Sequence, residues 1–475
     1  MLHLYDSLSR EIKPFPPSPE GPVTVYSCGP TVYHYAHIGN LRTFLTVDIL
    51  RRYLEYKGRE VRLVMNITDV GHMLNDADVG DDKMEAAAAK EGKTPEEIAD
   101  FYEKAFFDDL ERLRFKKDGT TFPRATANIP QMIALIEKLL SEDRAYVTPK
   151  GDIYYSVASF PGYGKLSGNT VENLVAGARV DVKEDKRHPA DFALWINNPN
   201  HVMQWKGPRG IQGYPGWHIE CSAMAQRYLG ETIDLHCGGE DLRFPHHECE
   251  IAQSEGASGV PFARHWLHVT YLFVDGQKMS KSKGNFYTLE DLLKKGFSAS
   301  VIRWLLVSSH YRTQLNFTLE GLEAVEKNLA YFREAYGILK MQRHKTTVES
   351  GKMLERIQEA RKSFDAALDD DLNVSEAFAV IHKLVTKLNK GRDAVDLQVA
   401  EASSKFLEEA LDGVFGIDLM AKAESAPEEV KQLAADRYNA RLQKRWSDSD
   451  KLRDEIASKG WIVEDTPQGQ RLKKA

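Results

Sequence analysis

Val23-Thr24-Val25-Tyr26-Ser27-Cys28, broken by Gly29-Pro30, reads as a strand entering a core. From Leu41 to Tyr56 the apolar residues Phe44, Val47, Leu50 and Leu54 recur at three- and four-residue steps, an amphipathic helix closed by Gly58. Val61-Arg62-Leu63-Val64-Met65-Asn66-Ile67 is a second strand. Strand, helix and strand within some 45 residues form a βαβ unit, which predicts a parallel sheet covered on both faces. The expected architecture is α/β, a doubly wound Rossmann-type sheet.

Outward from this unit, residues 81 to 116 read as helical and charged. From Thr120 to about Tyr214 the pattern changes to one helix, Ile129 to Leu140, and short β-like runs such as Ile153-Tyr154-Tyr155-Ser156. This predicts an inserted α/β module between two halves of the sheet. Parallel character returns with Thr232-Ile233-Asp234-Leu235-His236, followed by Gly238-Gly239, a helix near His246 to Ser254 and a strand near His265 to Val269. Tyr271 to Val274, with Asp275-Gly276, opens a hairpin. From Leu319 to about Phe415 nearly everything is helical. A charged linker near Ala421 to Glu429 then leads to a compact tail, where Gly460 stops a helix and Trp461-Ile462-Val463 forms a short strand. The expected divisions are 1–118 and 215–318 for the two half-sheets, 119–214 for the insertion, 319–420 for a helical bundle and 426–475 for a small α/β tail.

The 475 residues suffice for several domains, and 42% hydrophobic content argues against wholesale disorder. No run approaches the ~18 apolar residues of a membrane span, and the N-terminus lacks a signal-peptide layout. A cytoplasmic protein is expected. A net charge of −7 argues against a generally cationic nucleic-acid coat while leaving room for a local basic patch. Four cysteines, Cys28, Cys221, Cys237 and Cys249, without a CxxC pair, exclude a disulfide scaffold and a locally spaced zinc finger.

His37-Ile38-Gly39-Asn40 lies between the first strand and its helix, where open α/β sheets bind ligands. Gly39 permits close backbone approach, and the helix start offers N–H groups and a positive dipole end to phosphate. Lys278-Met279-Ser280-Lys281-Ser282-Lys283-Gly284-Asn285 places three lysines among hydroxyl residues in a polar loop, suited to a polyphosphate. The plainer alternatives are an ordinary βα turn and a solvated basic loop, which do not explain why each follows a Rossmann-type strand.

Together the two segments resemble the HIGH and KMSKS signatures of class I aminoacyl-tRNA synthetases, with Asn40 in place of the final histidine; both side chains can donate a hydrogen bond. Cys28, Cys221 in Trp217-His218-Ile219-Glu220-Cys221, and His246 and Glu250 in Phe244-Pro245-His246-His247-Glu248-Cys249-Glu250 make a mixed sulfur, nitrogen and oxygen set suited to Zn²⁺. From spacing alone, Cys249 competes with Glu250, and two buried structural thiols remain an alternative.

Five further segments resemble the cysteine-specific family of these synthetases: Ser27 to Tyr33, Pro215 to Met224, Phe244 to Glu248, His310-Tyr311-Arg312 with Leu315-Asn316-Phe317, and Glu464 to Gly469. The resemblance implies zinc ligands at Cys28, Cys221, His246 and Glu250, with Cys237 and Cys249 outside the set. It implies activation of L-cysteine by ATP with Mg²⁺ and transfer to the 3′ adenosine of tRNA(Cys). His37, Gly39 and Asn40 would face ATP, Lys278 and Lys281 its β and γ phosphates, and Asp241 the ribose. Trp217 would form a pocket wall. Soft thiolate binds zinc far better than a hydroxyl does, so serine would be rejected without an editing domain. The tRNA is expected on the helical region and on a tail face of Arg437, Arg441, Lys444 and Arg445, within a 436–475 segment holding ten Lys/Arg against seven Asp/Glu. The family often carries tryptophan where this chain has Leu472. A monomer is expected. The rival reading is a ligase of the same fold that passes cysteine to a sugar amine in low-molecular-weight thiol synthesis; such enzymes lack the full tail.

Overall fold

The structure is a computed structural model describing residues 1–15, 21–71, 83–169, 185–280, 284–341, 348–391, 395–420, 427–443, 445–466 and 469–474. Five parallel strands form the central sheet, in the order Trp266–Val269, Leu235–Gly239, Val23–Ser27, Val61–Met65 and Thr120–Thr121. Helices cover it, which is why Val23, Val25, Leu63, Val64 and Leu235 are all buried along near-continuous apolar runs. The strand order reverses between Val23–Ser27 and Leu235–Gly239, and their carboxyl ends define the crevice where such sheets bind ligands.

The helix after the first strand runs Ile38–Tyr56, starting three residues before the apolar periodicity because His37 and Asn40 cap it. The charged region resolves into two helices, Lys83–Glu91 and Pro95–Arg112. Two expectations shift. Thr120–Thr121 joins the central sheet, so the first half-sheet extends beyond residue 118. Gly238 and Gly239 lie inside their strand rather than after it. A Cβ on Gly238 would come within 2.6 Å of the His247 ring, so the glycine makes room for a histidine against the sheet.

The insertion packs helix Ile129–Ser141 with a five-stranded sheet that includes Ala145–Val147, Ile153–Tyr155, Phe192–Ile196 and Gln212–Pro215. Beyond the second half-sheet, strands Leu272–Val274, Gln277–Lys278 and Leu315–Phe317 form a small sheet. Helices Leu319–Met341, Val348–Asp369, Val374–Lys390 and Leu397–Leu407 make the bundle, with Phe332, Phe364, Ile381 and Phe406 in its core. The tail pairs helices Glu428–Leu442 and Trp446–Ser458 with the hairpin Trp461–Thr466 and Gly469–Lys474. Leu472 packs against a core of Val430, Ala434, Ile456, Trp461 and Val463. Among the described residues no helix is long and apolar enough to cross a membrane.

Candidate metal and nucleotide site

Cys28 directly follows strand Val23–Ser27, Cys221 lies in helix Trp217–Leu229, and His246 and Glu250 come from the turn Arg243–His247 and the following helix Glu248–Ser258. All four side chains are buried, and one donor atom from each falls within 4.8 Å of the others. The separations are Cys28 Sγ–Cys221 Sγ 3.9 Å, Cys221 Sγ–His246 Nε2 3.5 Å, Cys28 Sγ–Glu250 Oε1 3.6 Å and His246 Nε2–Glu250 Oε1 3.0 Å. Tetrahedral coordination at ordinary Zn–S, Zn–N and Zn–O lengths has edges of about 3.8 Å for S···S, about 3.6 Å for S···N or S···O and about 3.3 Å for N···O. The donor set therefore fits such an ion.

A second group shares Cys28 and Glu250 and adds His236 and His247. There His236 Nε2 lies 2.8 Å from Glu250 Oε2, a hydrogen bond that orients the carboxylate and leaves Oε1 facing the thiols. Similarly, His218 Nδ1 is 2.9 Å from His246 Nδ1, and His247 Nδ1 is 2.8 Å from His268 Nε2. These supporting histidines were not singled out from the sequence. His218 lies three residues before Cys221 on one helix and His247 follows His246, whereas His236 and His268 come from separate strands that no local spacing links to the ligands.

Burial opposes charge on every member, yet the cluster sorts its protons. Burial and the neighbouring Cys221 and Glu250 hold the Cys28 thiol well above the usual range. Cys221 is also penalised by burial, but the Cys28 S–H donated to it and the facing His246 bring it down to about 6. Glu250 and Cys221 outweigh burial and raise His246 to about 10, while His236 and His246 outweigh it and lower Glu250 to about 2. Burial drives His218 and His268 down to about 3, so these supporting rings are neutral.

Cys237 sits mid-strand, its thiol pushed up by burial. Cys249 Sγ lies 3.4 Å from Tyr163 OH in the insertion, so Glu250, and not Cys249, completes the donor set. The Trp217 ring stands 4.2 Å from the His246 ring, centroid to centroid, and walls the metal cluster on that side.

The His37 turn forms a reciprocal cap: Asn40 N–H donates to His37 Nδ1 at 3.1 Å and His37 N–H donates to Asn40 Oδ1 at 3.2 Å. Nδ1 as acceptor puts the proton of the neutral ring on Nε2. The amide oxygen of Asn40 completes the cap while its NH₂ remains a donor, which is how asparagine serves at this position.

The lysine loop lies against this turn. A Cβ on Gly39 would meet Met279 Cε and the His37 ring at 3.0 Å, Ile38 N–H donates to Tyr287 O at 3.0 Å, and Phe286 meets His37 edge-on at 5.3 Å. Asn285 Oδ1 accepts from Ser280 N–H at 2.8 Å, closing the loop, and Lys278 is exposed. Lys281 lies outside the described residues. Asp241 is exposed just past strand Leu235–Gly239; a Cβ on Gly239 would fall 2.3 Å from its Oδ1.

The tail departs from the expected basic face. Arg437 is buried in helix Glu428–Leu442, because the face it shares with Val430 and Ala434 is the one packed on the hairpin. Arg441 lies 5.5 Å from the centroid of the exposed Trp446 ring, and Arg445 pairs with Asp448 at 3.0 Å. Lys444 lies outside the described residues.

Residues 14–327 match the family profile described as "tRNA synthetases class I (C) catalytic domain", and residues 363–420 match the DALR domain. The chain is 43% identical over 483 residues to "Cysteine--tRNA ligase" of Symbiobacterium thermophilum, covering 100% of both chains. It is 44% identical over 481 residues to "Cysteine--tRNA ligase" of Thermus thermophilus, covering 99% of this chain and 98% of that one. A solved methionyl-tRNA synthetase of Mycobacterium tuberculosis, in complex with methionyl-adenylate, superposes with a TM-score of 0.62 at 14% identity, over 87% of this chain and 94% of that chain, a likeness of fold.

Proposed function

The chain belongs to the cysteine–tRNA ligase family of class I aminoacyl-tRNA synthetases, and from that premise we propose that it activates L-cysteine with ATP and transfers it to the 3′ adenosine of tRNA(Cys), a zinc ion selecting the thiol. The observation that carries the reading is the buried Cys28, Cys221, His246 and Glu250 set, at the end of the strand that leads into the His37 turn. When bound there, Zn²⁺ supplies a soft acid that prefers sulfur to a hydroxyl.

In the first step the cysteine carboxylate oxygen attacks the α-phosphorus of ATP and the bond to pyrophosphate breaks. His37 Nε2–H, the Asn40 amide and the N-terminus of helix Ile38–Tyr56 donate to the phosphates. Lys278 and Lys281 neutralise the departing β and γ phosphates together with Mg²⁺, while Asp241 accepts from the ribose hydroxyls. In the second step a hydroxyl of the terminal ribose of tRNA attacks the acyl carbon, AMP leaves, and the hydroxyl proton departs with it or to water. Trp217, packed on His246, closes the pocket around the small side chain. The bundle and the tail, through Arg441, Lys444 and Arg445, hold the tRNA, with the enzyme acting as a cytoplasmic monomer.

Cysteine-dependent ATP–pyrophosphate exchange, then charging of tRNA(Cys), tests the reading; exchange without charging would transfer it to the sugar-amine ligase. The full-length match to tRNA ligases and the paired tail hairpin support the tRNA. One zinc per chain, lost in Cys221→Ser, is the expected metal content, and unchanged content in that variant refutes the ligand set.

A further inference from the structure

Arg42 is 1% exposed and lies two residues beyond Asn40 on the helix that opens at the His37 turn. Its guanidinium donates to five neutral oxygens: Thr270 O at 3.2 Å, Tyr271 O at 3.3 Å, Ser309 Oγ at 3.2 Å, His310 O at 3.1 Å and Thr313 O at 2.7 Å. Thr270 and Tyr271 immediately precede strand Leu272–Val274, and Thr313 stands two residues before strand Leu315–Phe317. These two strands pair in parallel, and Phe273 pairs with Lys278. One side chain thus gathers the entry points of strand Leu272–Val274, which hairpins with the Lys278 strand, and of its parallel neighbour Leu315–Phe317.

We infer that Arg42 is a positioning residue that holds the hairpin Leu272 to Lys278 in register with the His37–Asn40 turn, so that Lys278 and the turn face one nucleotide. A buried cation without a carboxylate among these five partners is a costly way to fill space, and burial pushes Arg42 down to about 10. A planar fork reaching five acceptors at once gives in return a fixed geometry that a lysine point charge cannot reproduce. The far side of the same 309–313 segment is held from the bundle: Arg312 Nε donates to Asp371 Oδ2 at 2.7 Å, and Tyr311 OH donates to Asp371. Asp371 also accepts from Tyr5 N–H at 2.8 Å. The segment that enters the hairpin's parallel neighbour is therefore held between the nucleotide helix and the bundle.

The inference rests on the ATP-activation reading, so wild-type exchange activity is its own control. Without that activity the reading fails, whereas failure of the cycle below fails only Arg42. In Arg42→Lys, kcat/KM for ATP in pyrophosphate exchange should fall about tenfold, with the KM for cysteine and the zinc content unchanged. In a Lys278→Ala background the same substitution should cost less than about threefold, because the hairpin strand has already lost the lysine that Arg42 positions, leaving Lys281 further along the loop. A merely structural arginine would give losses that multiply, or would shift ATP and cysteine together, and either result overturns the inference. Should Arg42→Lys fail to fold, Ser309→Ala removes a single acceptor and runs through the same cycle. Its expected loss is about threefold and vanishes beside Lys278→Ala; no loss, or a loss that persists there, overturns the inference.

Discussion

Metal uptake by the stripped site should release close to two protons near neutral pH. With Cys221 at about 6 and Glu250 at about 2, both are ionised at neutrality, whereas His246 at about 10 and Cys28, held well above the usual thiol range, retain their protons. Coordination needs all four deprotonated, so His246 and Cys28 must each lose one. Protons bound in the free site and absent from the loaded one make affinity rise with pH. Two protons correspond to a Kd that falls about 100-fold per pH unit, or about 2.7 kcal/mol, as long as both groups start protonated. The assay is a zinc titration of chelator-stripped protein in weak buffer with a pH indicator, with Kd read by chelator competition over about one pH unit above neutrality. Cys28→Ser should release about one proton. A release below one proton in the wild type, or a Kd flat with pH, would falsify this assignment of protons and ligands.

Three further outcomes follow from single contacts. Gly29→Ala would place a Cβ 1.8 Å from Asn66 O, so the backbone beside Cys28 must move; the variant should lose metal and melt earlier, and full metal retention contradicts this. Arg303 is buried, with Nη2 2.5 Å from Asp48 Oδ2, and donates to Phe415 O and Leu113 O. Asp48 keeps its pair with Arg52 Nε at 2.8 Å, so Arg303→Met should cost about 1–3 kcal/mol in urea unfolding, and no measurable cost refutes the buried-pair account. Asp6 is held below its usual range, despite burial, by Lys13, Trp266 N–H and Ser9. A depressed folded-state value means this stability is present above the unfolded value and is lost as pH falls through the folded one. Asp6→Asn should flatten the acid limb of the stability profile below about pH 4, and an unaltered limb argues against the linkage.

Much of the sheet was legible because parallel strands buried on both faces write near-continuous apolar runs, as in Val61 to Ile67 where only Arg62 and Asn66 interrupt, and the helix between them writes its own period. The Thr120–Thr121 edge strand was not, since two threonines carry no pattern. The strand at Leu235 was misplaced because Gly238 and Gly239 look like a turn, while in space they make room for His247. In the tail, helical spacing put Arg437 on a basic stripe with Arg441, but the same spacing aligns it with Val430 and Ala434, and packing against the hairpin decided which neighbours it keeps.

By itself, the sequence determined the fold class, which is a property of local period; the His37 and Lys278 segments and four candidate donor residues stood out through their resemblance to a known family, while spacing alone left Cys249 competing with Glu250. Only the tertiary structure decided that Cys28, Cys221, His246 and Glu250 share one buried point, that His218 and His236 orient two of them, and that Cys249 turns to Tyr163 instead. It also turned Arg42 from a helix residue after a signature into the clamp on the lysine hairpin. The physical reason is the same in each case. Metal edges and hydrogen bonds act over three to four ångströms between residues up to some 270 positions apart, and nothing in the linear spacing of a chain encodes that distance.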